Sequence, residues 1–170
     1  MTEHCAYADL SKPDRHALRD TLATAFPVGK SAHQLWSDFP DTTAFLRRAR
    51  DQPEERAPQG VIGGAIVMGY PEGQYDYLAY LAIRPEFRRR GGLLHRSAVR
   101  PHHGTALLHD LYDVMRRRIT PALSQQHLMI EPASEAALRF YLSALPVNEY
   151  PLKYYEPDRM ILVAYDGLAL

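Results

Sequence analysis

Tyr75-Asp76-Tyr77-Leu78-Ala79-Tyr80-Leu81-Ala82-Ile83-Arg84-Pro85-Glu86-Phe87-Arg88-Arg89-Arg90-Gly91-Gly92 decides how the rest of the chain is read. Residues 75–83 are aromatic and aliphatic, with a single acid, and read as a strand. Pro85 ends it, because proline has no N–H to give to a ladder. A basic turn with two glycines follows. Gly104 then opens a helix read over Thr105–Arg118, whose Leu108, Leu111, Tyr112 and Met115 recur at helical spacing, with Ile119 just beyond. Such a unit suits an anion. The helix start carries unsatisfied N–H groups and a partial positive charge. Glycines admit close approach of a phosphate, and arginines add charge-assisted hydrogen bonds. A pyrophosphate fits this description, and so does an ordinary strand–loop–helix with a solvated basic turn.

The 170 residues are read as one domain, 1–170, long enough to bury a core. A hydrophobic share of 46% and a charged share of 24% are those of a globular protein. The formal net charge is zero, which gives no case for nucleic acid. No apolar run approaches the ~20 residues of a membrane span, and no signal-like start is expected, since Glu3 and His4 interrupt it. The one cysteine, Cys5, excludes an internal disulfide and fits a reducing compartment, so the cytoplasm is expected.

In chain order, His4–Leu10 reads as a strand, and Ser11 before Lys12-Pro13-Asp14 as a helix start. Leu18, Leu22 and Phe26 give that helix its stripe, and 30–38 reads as a short second helix. Strands are expected over Thr42–Arg50 and Gly60–Tyr70, on either side of a charged hairpin loop. Gly63 and Gly64 read as a possible bulge. Gln126–Glu131 is a further strand, parallel to 75–83 through a right-handed crossover. Ser134 caps a helix over Glu135–Ala144, and Tyr150–Tyr155 and Met160–Tyr165 close the chain as an antiparallel pair. Alternation puts Tyr75 and Tyr77 on one face of their strand and Tyr80 on the other.

Leu81-Ala82-Ile83-Arg84-Pro85-Glu86-Phe87-Arg88, then Arg88-x-x-Gly91, then Gly104-Thr105-Ala106-Leu107-Leu108 resemble the acetyl-CoA-binding motif of the GNAT superfamily of N-acyltransferases. The match is interrupted where Leu93 stands in place of a glycine. An insertion of about a dozen residues, Gly92–His103, in the phosphate loop reconciles the two halves. Its His95, His102 and His103 lack a cysteine or acid to complete a metal site, so no metal is expected. The insertion reads as a surface loop or a self-association element, which leaves a homodimer open. Ser134-x-x-Ala137-x-x-Phe140-Tyr141, Glu131-Pro132 and Tyr154-Tyr155-Glu156-Pro157 carry the resemblance to about residue 165.

The resemblance implies an α/β (α+β) fold: a mixed, mostly antiparallel sheet of about six to seven strands with about four helices. It implies acetyl-CoA as co-substrate and a primary amine as acceptor, on a small molecule or a peptide. Ala82, Ile83, Arg88, Arg89, Arg90, Gly91, Gly92, Gly104 and Thr105 would hold the cofactor, with the N–H of Ile83 facing the oxyanion. Tyr141 would give the leaving thiolate its proton; a phenol with a pKa near 10 stays protonated at neutral pH. Read without the resemblance, Tyr141 is a core residue on the face it shares with Leu138, Leu142 and Leu145. Glu131 is the first candidate for the base, with Asp76 and Tyr80 able to act through water, and a solvated sheet-edge glutamate is the bland reading of it. A non-catalytic acyl-CoA-binding or protein-interaction module on the same fold is the alternative. No nucleic acid and no membrane are expected as partners.

Overall fold

Val61–Tyr70 is buried along nearly its whole length, so both of its faces must be covered and it must lie inside a sheet. The computed structural model, which describes residues 1–26, 30–39, 41–49, 58–70, 75–88, 102–118, 127–145, 147–151 and 160–164, places it there. The strands are β1 (Thr2–Ala6), β2 (Thr42–Arg48), β3 (Val61–Tyr70), β4 (Tyr75–Ile83), β5 (His127–Ile130), β6 (Val147–Pro151) and β7 (Met160–Ala164). They form one sheet in the order β1-β2-β3-β4-β5-β7-β6. Every neighbouring pair is antiparallel except β4 and β5, which run parallel. Among the described residues four α-helices cover it: α1 (Lys12–Ala23), α2 (Lys30–Asp38), α3 (His103–Arg118) and α4 (Glu135–Ala144). The fold is the mixed, mostly antiparallel α/β arrangement expected from the sequence.

Two cores result, one on each face of the sheet. Leu107, Leu108, Leu111 and Met115 of α3 and Tyr141 and Leu145 at α4 pack on Val67, Leu78, Leu128 and Ile130. Leu18 and Leu22 of α1 and Trp36 of α2 pack on Leu46, Ile66, Met68 and Ala82 on the opposite face. Ser11 caps α1 by accepting from the Asp14 N–H at 3.2 Å, and Ser134 caps α4 in the same way through Ala137. The guanidinium of Arg48 donates to Glu3 and to Asp14, each at 2.8 Å, and so ties β2 to β1 and to the first turn of α1.

Several boundaries differ from the sequence reading, those of β3 and β5 by a residue at an end. The first strand is Thr2–Ala6, and Tyr7–Asp9 forms a 3-10 turn whose Tyr7 is buried against Trp36. The strand expected over Thr42–Arg50 ends at Arg48. The third helix starts at His103, one residue before Gly104. The penultimate strand is Val147–Pro151, upstream of the expected Tyr150–Tyr155, because the chain pairs as soon as α4 is capped; residues 152–159 lie outside the described residues.

The glycines of β3 are explained by packing. A Cβ on Gly64 would stand 2.2 Å from Leu18 Cδ1 and 3.3 Å from the Phe45 carbonyl oxygen. Gly64 therefore lets α1 lie directly on the sheet. The bulge between β2 and β3 falls beside them, at Ile62, where Arg47 faces Gly63 and Arg48 faces Val61. Gly64→Val is expected to destabilise the protein by about 1–3 kcal/mol through overpacking, and by less in a Leu18→Ala background. Urea unfolding of the two single variants and the double variant checks this; strictly additive losses would show that Leu18 is not what the new side chain meets.

Candidate active site

The site begins with a defect in β4. Ile66 faces Tyr80 and Val67 faces Leu78, so Ala79 is an extra residue without its own partner on β3. A bulge of this kind bends its strand and disrupts the local ladder. On the other side of β4, pairing with β5 runs from Tyr75↔His127 to Leu78↔Ile130 and stops there, while pairing with β3 continues to Ile83. Among the described residues, 79–83 thus have no strand beside them on the β5 side. The Arg84 N–H donates to the Ile62 carbonyl at 2.9 Å. Ladder alternation then turns the N–H and C=O of Ile83 away from β3, toward this opening.

The same bulge alters which side chains share a face. Leu78 packs in the α3/α4 core, while Tyr77 lies opposite Met68 of the α1/α2 core. Simple alternation would send Tyr80 to the face opposite Tyr77. The extra residue shifts the phase, and Tyr80 packs against Phe26 and Trp36 at ring distances of 5.3 and 5.2 Å, on the α1/α2 face. Tyr75, Tyr77 and Tyr80 therefore share one face, which corrects the sequence reading.

At the opening, the Tyr77 hydroxyl donates to Glu131 Oε2 at 3.1 Å. Burial, followed by the charge and the hydrogen bond of Glu131, pushes the Tyr77 phenol up to about 12; Tyr70 and Tyr80 add to this. Tyr141, on α4, is 8% exposed. Burial first, and then Tyr77, push it up to about 12 as well. Tyr141 and Tyr77 come from opposite faces of the sheet, and the electrostatic influence of one phenol reaches the other. Glu131 and Tyr77 thus form a hydrogen-bonded pair at the point where β4 and β5 part. Of the other candidates for the base, Tyr80 belongs to the α1/α2 core, and Asp76 is buried one residue from Tyr77.

Of the residues expected to hold a cofactor, Ile83 is placed as described and Ala82 is buried beside it. Arg88 is exposed, and its Nε donates to the Ile83 carbonyl oxygen at 2.6 Å, which sets it at the same opening. Gly104 and Thr105 lie in the first turn of α3, where helical geometry leaves N–H groups unpaired. A Cβ on Gly104 would meet Ile83 Cγ1 at 3.6 Å and Phe140 Cζ at 3.7 Å, ordinary contact distances, so the end of β4 and the start of α3 are neighbours. Arg89, Arg90, Gly91 and Gly92, with the inserted segment to residue 101, lie outside the described residues. Leu142 is 39% exposed and so stands off the buried face of α4 to which the sequence reading assigned it.

Tyr77 is a candidate site residue to which the sequence reading gave only a strand face. Its signal is a register: Tyr77 pairs with Met129 in the parallel ladder, and Glu131 lies two residues further on the same face.

The architecture is similar to that of solved GNAT acetyltransferases. The ribosomal-protein-S18-alanine N-acetyltransferase of Escherichia coli matches with a TM-score of 0.61 and 19% identity, over 100% of this chain and 99% of that one. An acyl-CoA N-acyltransferase from Pseudomonas aeruginosa matches with a TM-score of 0.64 and 12% identity, over 96% and 98%. The catalytic domain of the Tetrahymena GCN5 histone acetyltransferase, solved in complex with coenzyme A, matches with a TM-score of 0.59 and 15% identity, over 100% and 95%. No protein-family profile matches the sequence, and no curated relative does. The chain has the GNAT fold.

Both phenols stay protonated well above pH 10, whereas tyrosines of the unfolded chain ionise near 10. Because the folded values are raised, their contribution to stability is complete below about pH 10 and is lost as pH rises from there toward about 12. In an absorbance titration of tyrosinate, Tyr77→Phe and Tyr141→Phe should each remove one late-ionising phenol. Loss of an early-ionising one instead would show that the residue is solvated.

Proposed function

We propose that this protein transfers an acetyl group from acetyl-CoA to a primary amine by direct attack. The observation that carries the reading is the Tyr77–Glu131 hydrogen bond at the opening between β4 and β5, with the phenol of Tyr141 buried on α4. The opening offers a backbone N–H at Ile83, and the first turn of α3 and Arg88 stand beside it for the pyrophosphate. The acetyltransferases among the similar structures, and the coenzyme A complex of one of them, support the same cofactor.

In the reaction the amine nitrogen attacks the thioester carbonyl carbon, and the C–S bond breaks. The Ile83 N–H faces the carbonyl oxygen as it gains charge. Glu131 takes the proton that the amine must lose. Tyr141 gives its proton to the leaving thiolate, and its raised pKa keeps that proton in place until a strong base forms beside it. No side chain is acylated, and Cys5, on β1, has no part to play.

Calorimetric titration with acetyl-CoA, followed by an amine screen with thiol release as readout, tests the proposal. Micromolar binding that Arg88→Ala weakens is expected. Turnover should fall about a hundredfold or more in Tyr141→Phe and in Glu131→Gln, with acetyl-CoA affinity retained. Binding with no thiol release for any amine would leave a non-catalytic acyl-CoA module. No binding up to millimolar would remove the enzyme reading.

A further inference from the structure

Four tyrosines lie on the face that carries Glu131. Tyr70 of β3 pairs with Tyr75 of β4, and their rings stack at 4.8 Å and 18°. Tyr77 continues the row along β4 at a half-buried position, and Tyr80, its ring packed on Phe26 and Trp36, ends it. Phe39 closes one end against Tyr70 at 4.9 Å, and Phe26 closes the other against Tyr80. Met129 of β5 and Glu131, just past its end, lie beside Tyr77 on the same face. The result is an aromatic ledge with a carboxylate held at its side by a phenol.

Two forces act on a ligand lying there. Tyrosine faces carry negative quadrupole charge and attract an ammonium within about 6 Å. They also stack on, or meet edge-on, a second aromatic ring. A carboxylate beside the ledge adds attraction for a cation and repels an anion. Had the face been built for a sugar or a polyhydroxylated amine, it would instead need many polar side chains to replace the hydration of each hydroxyl.

We infer that the acceptor is a cationic amine borne on an aromatic body, its nitrogen at the Glu131–Tyr77 pair and its ring on the tyrosine ledge. This rests on the proposed reading insofar as the ledge is taken as the acceptor side. Its recognition chemistry is independent of turnover. The bulge at Ala79 is what assembles the ledge, because it brings Tyr80 to the face of Tyr75 and Tyr77.

The full chain is titrated at pH 7 with phenethylamine, glucosamine and 3-phenylpropionate, which respectively carry ring and ammonium, ammonium without ring, and ring with negative charge. Phenethylamine should bind at least about tenfold more tightly than either of the others, through ring stacking relative to glucosamine and through the cation's attraction to the rings and the carboxylate relative to 3-phenylpropionate. Tyr75→Leu keeps an apolar side chain at a half-buried position and should erase most of that preference. Equal binding of the three probes, or none of phenethylamine at millimolar concentration, overturns the inference. Thiol release from acetyl-CoA is read separately. Phenethylamine binding without thiol release keeps the ledge and removes the transfer reaction. Thiol release with glucosamine and none with phenethylamine keeps the transfer and removes the ledge as acceptor site.

Discussion

One extra residue in one strand governs this structure. Ala79 has no partner of its own on β3, so β4 bends at the point where its parallel pairing with β5 ends. Without the bulge, β4 and β5 would stay in register, and the backbone of Leu81 and Ile83 would be used up in a ladder. Tyr80 would also fall in the α3/α4 core and leave the ring contacts with Phe26 and Trp36 unmade. The bulge thus opens the sheet and sets the phase of the side chains around the opening.

A bend inside a sheet holds only if the strand is fixed on both sides of it. Upstream, β4 is paired on two sides, with Tyr70↔Tyr75 and Tyr75↔His127. Downstream, the guanidinium of Arg84, 9% exposed, donates through Nε to Thr21 of α1 and to the Val61 carbonyl oxygen at 3.0 and 3.1 Å. Burying an arginine among neutral acceptors is costly. What it gains here is a fixed end for β4, joined to α1 and β3 at once. Gly64 serves the same end by letting α1 lie close to the sheet, within reach of Arg84.

Much of this was legible in the sequence because it is local. Proline, serine caps and apolar spacing set α1, α2 and α4, and the apolar run 75–83 sets β4 to the residue. The parallel pairing of β4 and β5 followed from the length of the crossover between them. What could not be read was non-local. A bulge at an alanine has no residue signature, and it depends on which register leaves the better-packed faces. The face of Tyr80 was misread for that reason. Glu131 was found through its strand end, but its contact with Tyr77 needed the register of a strand some fifty residues away in the chain, a separation of 54. The proposed proton donor was reached through a motif resemblance, since Tyr141 on its helix face is indistinguishable from a core residue.

The two faces of the sheet bring different parts to the proposed reaction. Tyr141 is anchored in the α3/α4 core, and Tyr77 with Glu131 stands on the α1/α2 side. A continuous ladder between them would keep an acid on one face from acting on the same molecule as a base on the other. Where β4 and β5 part, that wall ends, and Tyr77 is near enough to Tyr141 to raise its pKa. An amine arriving over the tyrosines would meet its base before the opening, and a thiolate leaving beyond it would meet its acid. The proton taken and the proton given would then never compete for one group. Such a separation requires a sheet that is intact up to Leu78 and open after it, which is the condition the bulge creates.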